Sequence, residues 1–198
     1  MRVLVYDRTC VRRGGGLSIP WAAGAVLYRA ARRLEAARGV ASWDEALAWL
    51  ATLAAPIDEL QYWGHGTWGA ARVGDERLDA RSLLRGHPHR QALDRVGFGP
   101  APLVWFRTCQ TVGARAGIAF AESLADLVGG RVAGHTHVIG FHQSGLHGVA
   151  AGRRADWSPD DGLRDGTPDA PRTARPSRPW APRTITCLHG RVPDDWFA

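Results

Sequence analysis

Two side chains stand where a nucleophile and its base would be useful: His65 in WGHGTWG and Cys109 in FRTCQTVG, each just after a short apolar run. The runs LQYW and LVWF are apolar on both faces, the mark of strands buried in a parallel sheet. In open α/β sheets ligands collect at the carboxyl ends of such strands, where loops converge and helix amino termini point into the same crevice. A thiol placed there, ahead of a helix and beside an imidazole, is more readily ionised and attacks acyl carbon. In this arrangement His65 is the general base and then the acid for the leaving amine. The backbone N–H groups of Gly66 and Cys109 would receive the oxyanion.

Several elements must carry these residues. Val3 to Tyr6 reads as a buried strand ended by Asp7, Arg8 and Thr9, and the chain is expected to turn at Gly14, Gly15 and Gly16. From Trp21 to about Ala37 apolar residues recur at helical spacing (Ala22, Val26, Leu27, Ala30, Leu34), which predicts an amphipathic helix. Ser42 and Glu45 form a capping box for a second helix, closed by Pro56. Strands are predicted over 57–63, 100–106 and 131–141, a short strand and helix start within VGDERLDARSLL, a loop over 85–99, and a helix over 116–128 ended by Gly129 and Gly130. Strands alternating with helices imply an α/β fold with a mostly parallel central sheet flanked by helices. Residues 1–150 form its core. A Pro-, Arg- and Asp-rich stretch over 151–182 reads as an extended loop, and 183–198 holds a strand-like segment and tail that pack back on the core.

Composition bounds the partners. The 198 residues are 45% hydrophobic with nine tryptophans, enough apolar surface for a packed core. The net charge of +6 is carried without a single lysine, and asparagine is also absent, the pattern of a codon bias that favours arginine. The arginines alternate with acids, as in Arg72, Asp75, Glu76, Arg77, Asp79 and Arg81, and form no stripe that would track phosphates. Nucleic acid is therefore not expected as a partner. Nor is a membrane, since the apolar run at the start spans only four residues. Cys10, Cys109 and Cys187 are odd in number and far apart, which points to a reducing, cytoplasmic setting, with Cys10 and Cys187 read as structural.

Two further patterns compete for function. His135, His137, His142, His147 and His189 gather near one predicted strand end, and alternation puts His135 and His137 on one side, as a zinc-dependent hydrolase would need. No carboxylate stands at a tight ligand spacing to complete such a site. The triple glycine at 14–16 is followed by no lysine of a phosphate-binding loop, so a turn suffices.

His-Gly after one apolar strand and Cys after a later one, 44 residues apart, resembles the caspase-like cysteine peptidases, whose histidine lies roughly 50 residues upstream of the cysteine. LQYWGHGTWGAARVGDERLD and LVWFRTCQTVGARAGIAFAESLADLVGGRVAG resemble a bacterial caspase-like domain of unknown function (DUF4347) and, more distantly, the CHAT peptidases, over about residues 57–140. That group shows a strand, Ser-His-Gly, a short hairpin, a strand ending in Gly-Cys, and a helix after a Gly-rich turn. Gly64 and Thr108 replace the residues preceding its histidine and cysteine.

The resemblance implies a caspase-haemoglobinase-like three-layer sandwich and a cysteine endopeptidase with a His65/Cys109 dyad, acting on a protein or peptide and needing no cofactor. It also implies a substrate pocket drawn from Asp7, Arg8, Arg107, His142 and Gln143, with the histidine-rich segment GHTHVIGFHQSGLHG as a groove wall. An arginine there would select an acidic residue and Asp7 a basic one, so the sign stays open. A catalytically inactive interaction module of the same fold is the alternative.

Overall fold

The computed structural model describes residues 1–11 and 16–197; Gly14 and Gly15 of the expected turn lie outside the described residues. Its centre is a six-stranded sheet built from β1 (Arg2–Asp7), β2 (Ala36–Val40), β3 (Ile57–Trp63), β7 (Phe98–Arg107), β8 (Arg131–His135) and β10 (Leu146–Ala150). The spatial order is β10-β8-β7-β3-β1-β2, parallel throughout except for β10, which runs antiparallel to β8. Between β3 and β7 the chain makes a separate three-stranded antiparallel sheet of β4 (His65–Thr67), β5 (Ala70–Val73) and β6 (Glu76–Asp79). The helices are α1 (Ser18–Ala30), α2 (Trp43–Leu50), α3 (Pro88–Leu93) and α4 (Ala114–Val128).

The alternation of strand side chains sorts the molecule into three layers. Val3, Val5, Leu60, Tyr62, Val104 and Phe106 point to one face, where α2, α3 and α4 cover them with residues such as Leu47, Leu93 and Phe120. On the other face Leu4 and Trp63 meet Ala25 and Tyr28 of α1. Further along that face, Leu103, Trp105, Ala133 and Leu146 are covered by Ile185, Val192 and the half-buried Trp196 and Phe197. The protein is thus an α/β three-layer sandwich around a mostly parallel sheet.

Local signals explain the helix ends. Ser42 Oγ accepts the Glu45 N–H at 3.0 Å, and the Glu45 carboxylate turns back to the Ala41 N–H at 2.8 Å, closing the reciprocal cap one residue earlier than the usual box. Gly129 ends α4 in the left-handed conformation, φ 62°, which costs a glycine little.

Where the sequence predicts one long helix over 21–37, α1 ends at Ala30; Arg32 turns at φ 55° and Ala36–Val40 pairs in parallel with β1. The periodicity also misplaces the buried face: Val26 and Leu27 are 68% and 62% exposed, whereas Ser18, Ala25 and Tyr28 are buried. Within the expected loop over 85–99, His87 and Pro88 start α3. The strand predicted over 131–141 stops at His135, beyond which the chain leaves the sheet and returns as β9 (His142–Gln143). Within 151–182 lies a hairpin of β11 (Leu163–Gly166) and β12 (Pro171–Ala174), and β13 (Ile185–Thr186) then pairs with β9. Among the described residues no helix is long and apolar enough to cross a membrane.

Candidate functional site

The two central strands lead into His65 and Cys109 at one edge of the sheet. Trp63 of β3 and Arg107 of β7 are register partners on adjacent parallel strands, so His65 and Cys109, each two residues further on, leave the sheet at the same level of its carboxyl edge. Gly66 holds the two segments close. A Cβ on Gly66 would fall 2.1 Å from Thr111 Oγ1, 2.5 Å from the Cys109 carbonyl oxygen and 2.9 Å from Thr108 Cβ. The histidine loop and the cysteine loop are therefore in backbone contact, and only glycine fits between them.

The imidazole of His65 nevertheless has another partner. Its Nε2 lies 3.2 Å from the sulfur of Cys10, which follows β1, the neighbour of β3 on the other side. Either the thiol donates to neutral Nε2 or an imidazolium N–H donates to the thiolate. Trp21 of α1 packs edge-on against the ring at 5.4 Å between centroids. Cys10 is 3% exposed. Reading Cys10 as structural missed this pairing; its position just past the carboxyl end of a central strand was the available signal.

Cys109 is half-buried. Its sulfur accepts the Ile139 N–H at 3.4 Å. Burial pushes the thiol above its ordinary value, and the N–H groups of Ile139 and of Cys109 itself only partly offset this. No hydrogen bond joins Cys109 to His65, and among the described residues the contacts of its sulfur, with Ile139, bring no cation that would draw the proton off.

Comparison with known proteins gives no match to a family model, to a curated protein or to a solved structure. What the site can do rests on its own geometry.

The residues expected around a substrate pocket are placed unequally. Arg107 and Gln143 are brought together: Gln143 Oε1 accepts from Arg107 Nε at 3.1 Å and Nη2 at 3.0 Å. Arg107 also donates to Tyr28 Oη (2.9 Å) and to the carbonyls of Thr186, Cys187 and His189 (3.3, 2.8 and 3.2 Å), and its guanidinium lies 4.5 Å from the Trp105 ring centroid. Its five N–H donors thus all face internal oxygens. Asp7 is buried, its Oδ1 accepting from the Thr9 N–H and hydroxyl at 2.7 Å each, while Arg8 reaches out to Glu45 at 3.0 Å. His142 is half-buried in β9, edge-on to Phe141.

The histidine cluster resolves into separate hydrogen-bonding roles, and among the described residues no group of three or more His, Cys, Asp or Glu could hold a metal ion. His135 is sealed in the sheet, its Nδ1 against the Ser144 carbonyl at 3.1 Å, and burial takes its pKa down to about 3. Arg183 donates to His147 Nδ1 at 2.7 Å, so Nε2 carries the proton and donates to Asp161 at 2.8 Å. Burial alone would raise Asp161, but the hydrogen bonds from His147 and Thr136 outweigh it and hold the carboxyl at about 2. His137 lies past the end of β8, where the chain has left the sheet, so strand alternation does not hold between it and His135.

Proposed function

We propose that this chain is a caspase-like cysteine endopeptidase with Cys109 as nucleophile and His65 as base. The observation that carries the reading is the register of Trp63 with Arg107, which brings an imidazole and a thiol off adjacent parallel strands at one level. The succession of β3, His65-Gly66, the small antiparallel sheet, β7, Cys109, Gly113 and α4 supports it, being the succession that the resemblance implies.

In the catalytic cycle the His65 ring leaves Cys10, takes the Cys109 thiol proton, and the sulfur adds to the substrate carbonyl carbon. The backbone N–H groups of Gly66 and Cys109 receive the resulting oxyanion. Collapse breaks the C–N bond, and the imidazolium returns its proton to the departing amine. Water then loses a proton to His65, attacks the thioester and restores the thiol. Arg107 and Gln143 act as a structural pair.

The 3.2 Å contact favours a second reading, in which Cys10 is itself the nucleophile and His65 is already in place. Its low exposure weighs against it, since an attacking sulfur must reach the substrate. Digestion of a peptide library, together with labelling by an acyl electrophile, separates the two. Loss of both activities in Cys109→Ala and their survival in Cys10→Ala supports the first reading; the reverse pattern supports the second. An intact library with the unsubstituted chain leaves an interaction module.

A further inference from the structure

Beside the segment that follows β8, the chain over 162–182 borders an open cavity of about 520 Å³, a size typical of small-molecule sites. Three of its lining side chains are arginines, Arg164, Arg175 and Arg178, accompanied by His137, Pro176 and Pro182. No carboxylate lines it. Among the described residues no acid pairs with Arg175 or Arg178, and Arg164 meets Asp165 only at 3.8 Å, both side chains being mostly exposed. Asp161, the nearby half-buried acid, is engaged by Thr136 and His147.

The backbone that carries these arginines is fixed on several sides. The Arg175 N–H donates to the Gly162 carbonyl at 2.7 Å, and its own carbonyl accepts from Val138 N–H at 3.0 Å. Ser177 N–H donates to the Val138 carbonyl at 2.8 Å, and Arg178 N–H donates to Ser144 Oγ at 3.1 Å. Arg175 Nε is oriented by the Leu163 carbonyl at 3.3 Å, leaving its two terminal nitrogens for another acceptor. Like charges held around one space repel each other, and a multiply charged anion placed among them relieves that repulsion while accepting forked guanidinium hydrogen bonds.

We propose that this cavity is a binding site for a small, phosphate-bearing polyanion. The inference is independent of the peptidase reading, because it uses neither His65 nor either of the cysteines at the sheet edge. The backbone of the site is preorganised, since Arg164 stands on β11, Arg175 just after β12 and Arg178 on the strap that follows, and the two prolines stiffen the strap.

Calorimetric titration of the full chain with inorganic tripolyphosphate tests it. One-to-one binding is expected, weakened about tenfold or more in Arg175→Gln and in Arg178→Gln, each of which removes a charged donor. Arg172→Gln, which deletes an exposed arginine of the same hairpin outside the cavity lining, should leave the affinity unchanged. Thermal melts of the variants confirm that the fold is kept. Absence of saturable binding overturns the proposal, as does an equal loss in all three variants, the sign of diffuse surface charge. Tight binding that neither Arg175→Gln nor Arg178→Gln weakens places the anion elsewhere and overturns it too.

Discussion

The Nε2 atom of His65 and the sulfur of Cys10 lie 3.2 Å apart across the ends of neighbouring strands, while Cys109, at the same sheet edge, leans on the Ile139 N–H instead. Two thiols thus differ in access and in partner. With a limiting thiol-reactive probe and peptide mapping, the native chain should be labelled at Cys109 well before Cys10, by about tenfold or more given the burial of Cys10. In urea the two should label alike. Faster labelling of Cys10 in the native chain would move the nucleophile to β1.

Gly66→Ala tests the close approach of the histidine and cysteine loops. The added methyl meets the Cys109 carbonyl and Thr111 well inside contact distance, so the loops must separate, at a cost of about 1–3 kcal/mol. Urea denaturation should show that loss. Under the proposed function, peptide cleavage should fall further than the stability change explains. An unperturbed midpoint would show that the loops are not in contact.

Arg107 is a charged staple that meets no carboxylate among the described residues. Arg107→Met leaves Gln143 Oε1 without its donors and takes one of two donors from each of the carbonyls of Thr186, Cys187 and His189, for an expected loss of about 1–3 kcal/mol. Hydrogen exchange should accelerate first over 185–192. Arg107→Lys should rescue little, because one ammonium cannot reproduce a forked, stacked guanidinium. Full stability in the methionine variant would contradict this assignment.

Acid should loosen the fold in two stages. His135 titrates at about 3 in the folded chain against an ordinary 6.5, so between those values the unfolded chain binds the extra proton and stability falls as pH drops. Asp161 adds a second loss between its ordinary 3.8 and about 2, where only the unfolded chain is protonated. The slope is on the order of 1 kcal/mol per pH unit for each group, with the Asp161 share smaller because the side chain is partly wet. Urea midpoints between pH 7 and 3 should decline, and His135→Gln should flatten the upper part. An unchanged upper slope in that variant would assign the acid sensitivity to other groups.

Much of this was legible in the residues. Strands β1, β3 and β7 show as apolar runs because both their faces are buried, and α2 shows through the Ser42 and Glu45 cap. Strand β2 was hidden: AARGV lacks the alternation that marks a strand and has a β-branched residue only at Val40, and its place is set by pairing with β1. The face of α1 was misread because Tyr28, through its hydroxyl to the carbonyls of Cys187 and His189, takes the inner position that periodicity gave to Val26 and Leu27. The strand-end placement of His65 and Cys109 was readable from sequence. The choice of Cys10 as the resting partner was not, because it depends on which way one ring turns.

Part of one side of the sheet is roofed by residues far along the chain from the strands they cover. Leu103, Trp105, Ala133 and Leu146 find their cover only when Ile185, Val192, Trp196 and Phe197 arrive, with Phe197 bridging to Gly148. A chain synthesised only as far as β10 therefore carries an open, oily flank on the sheet that bears His65 and Cys109.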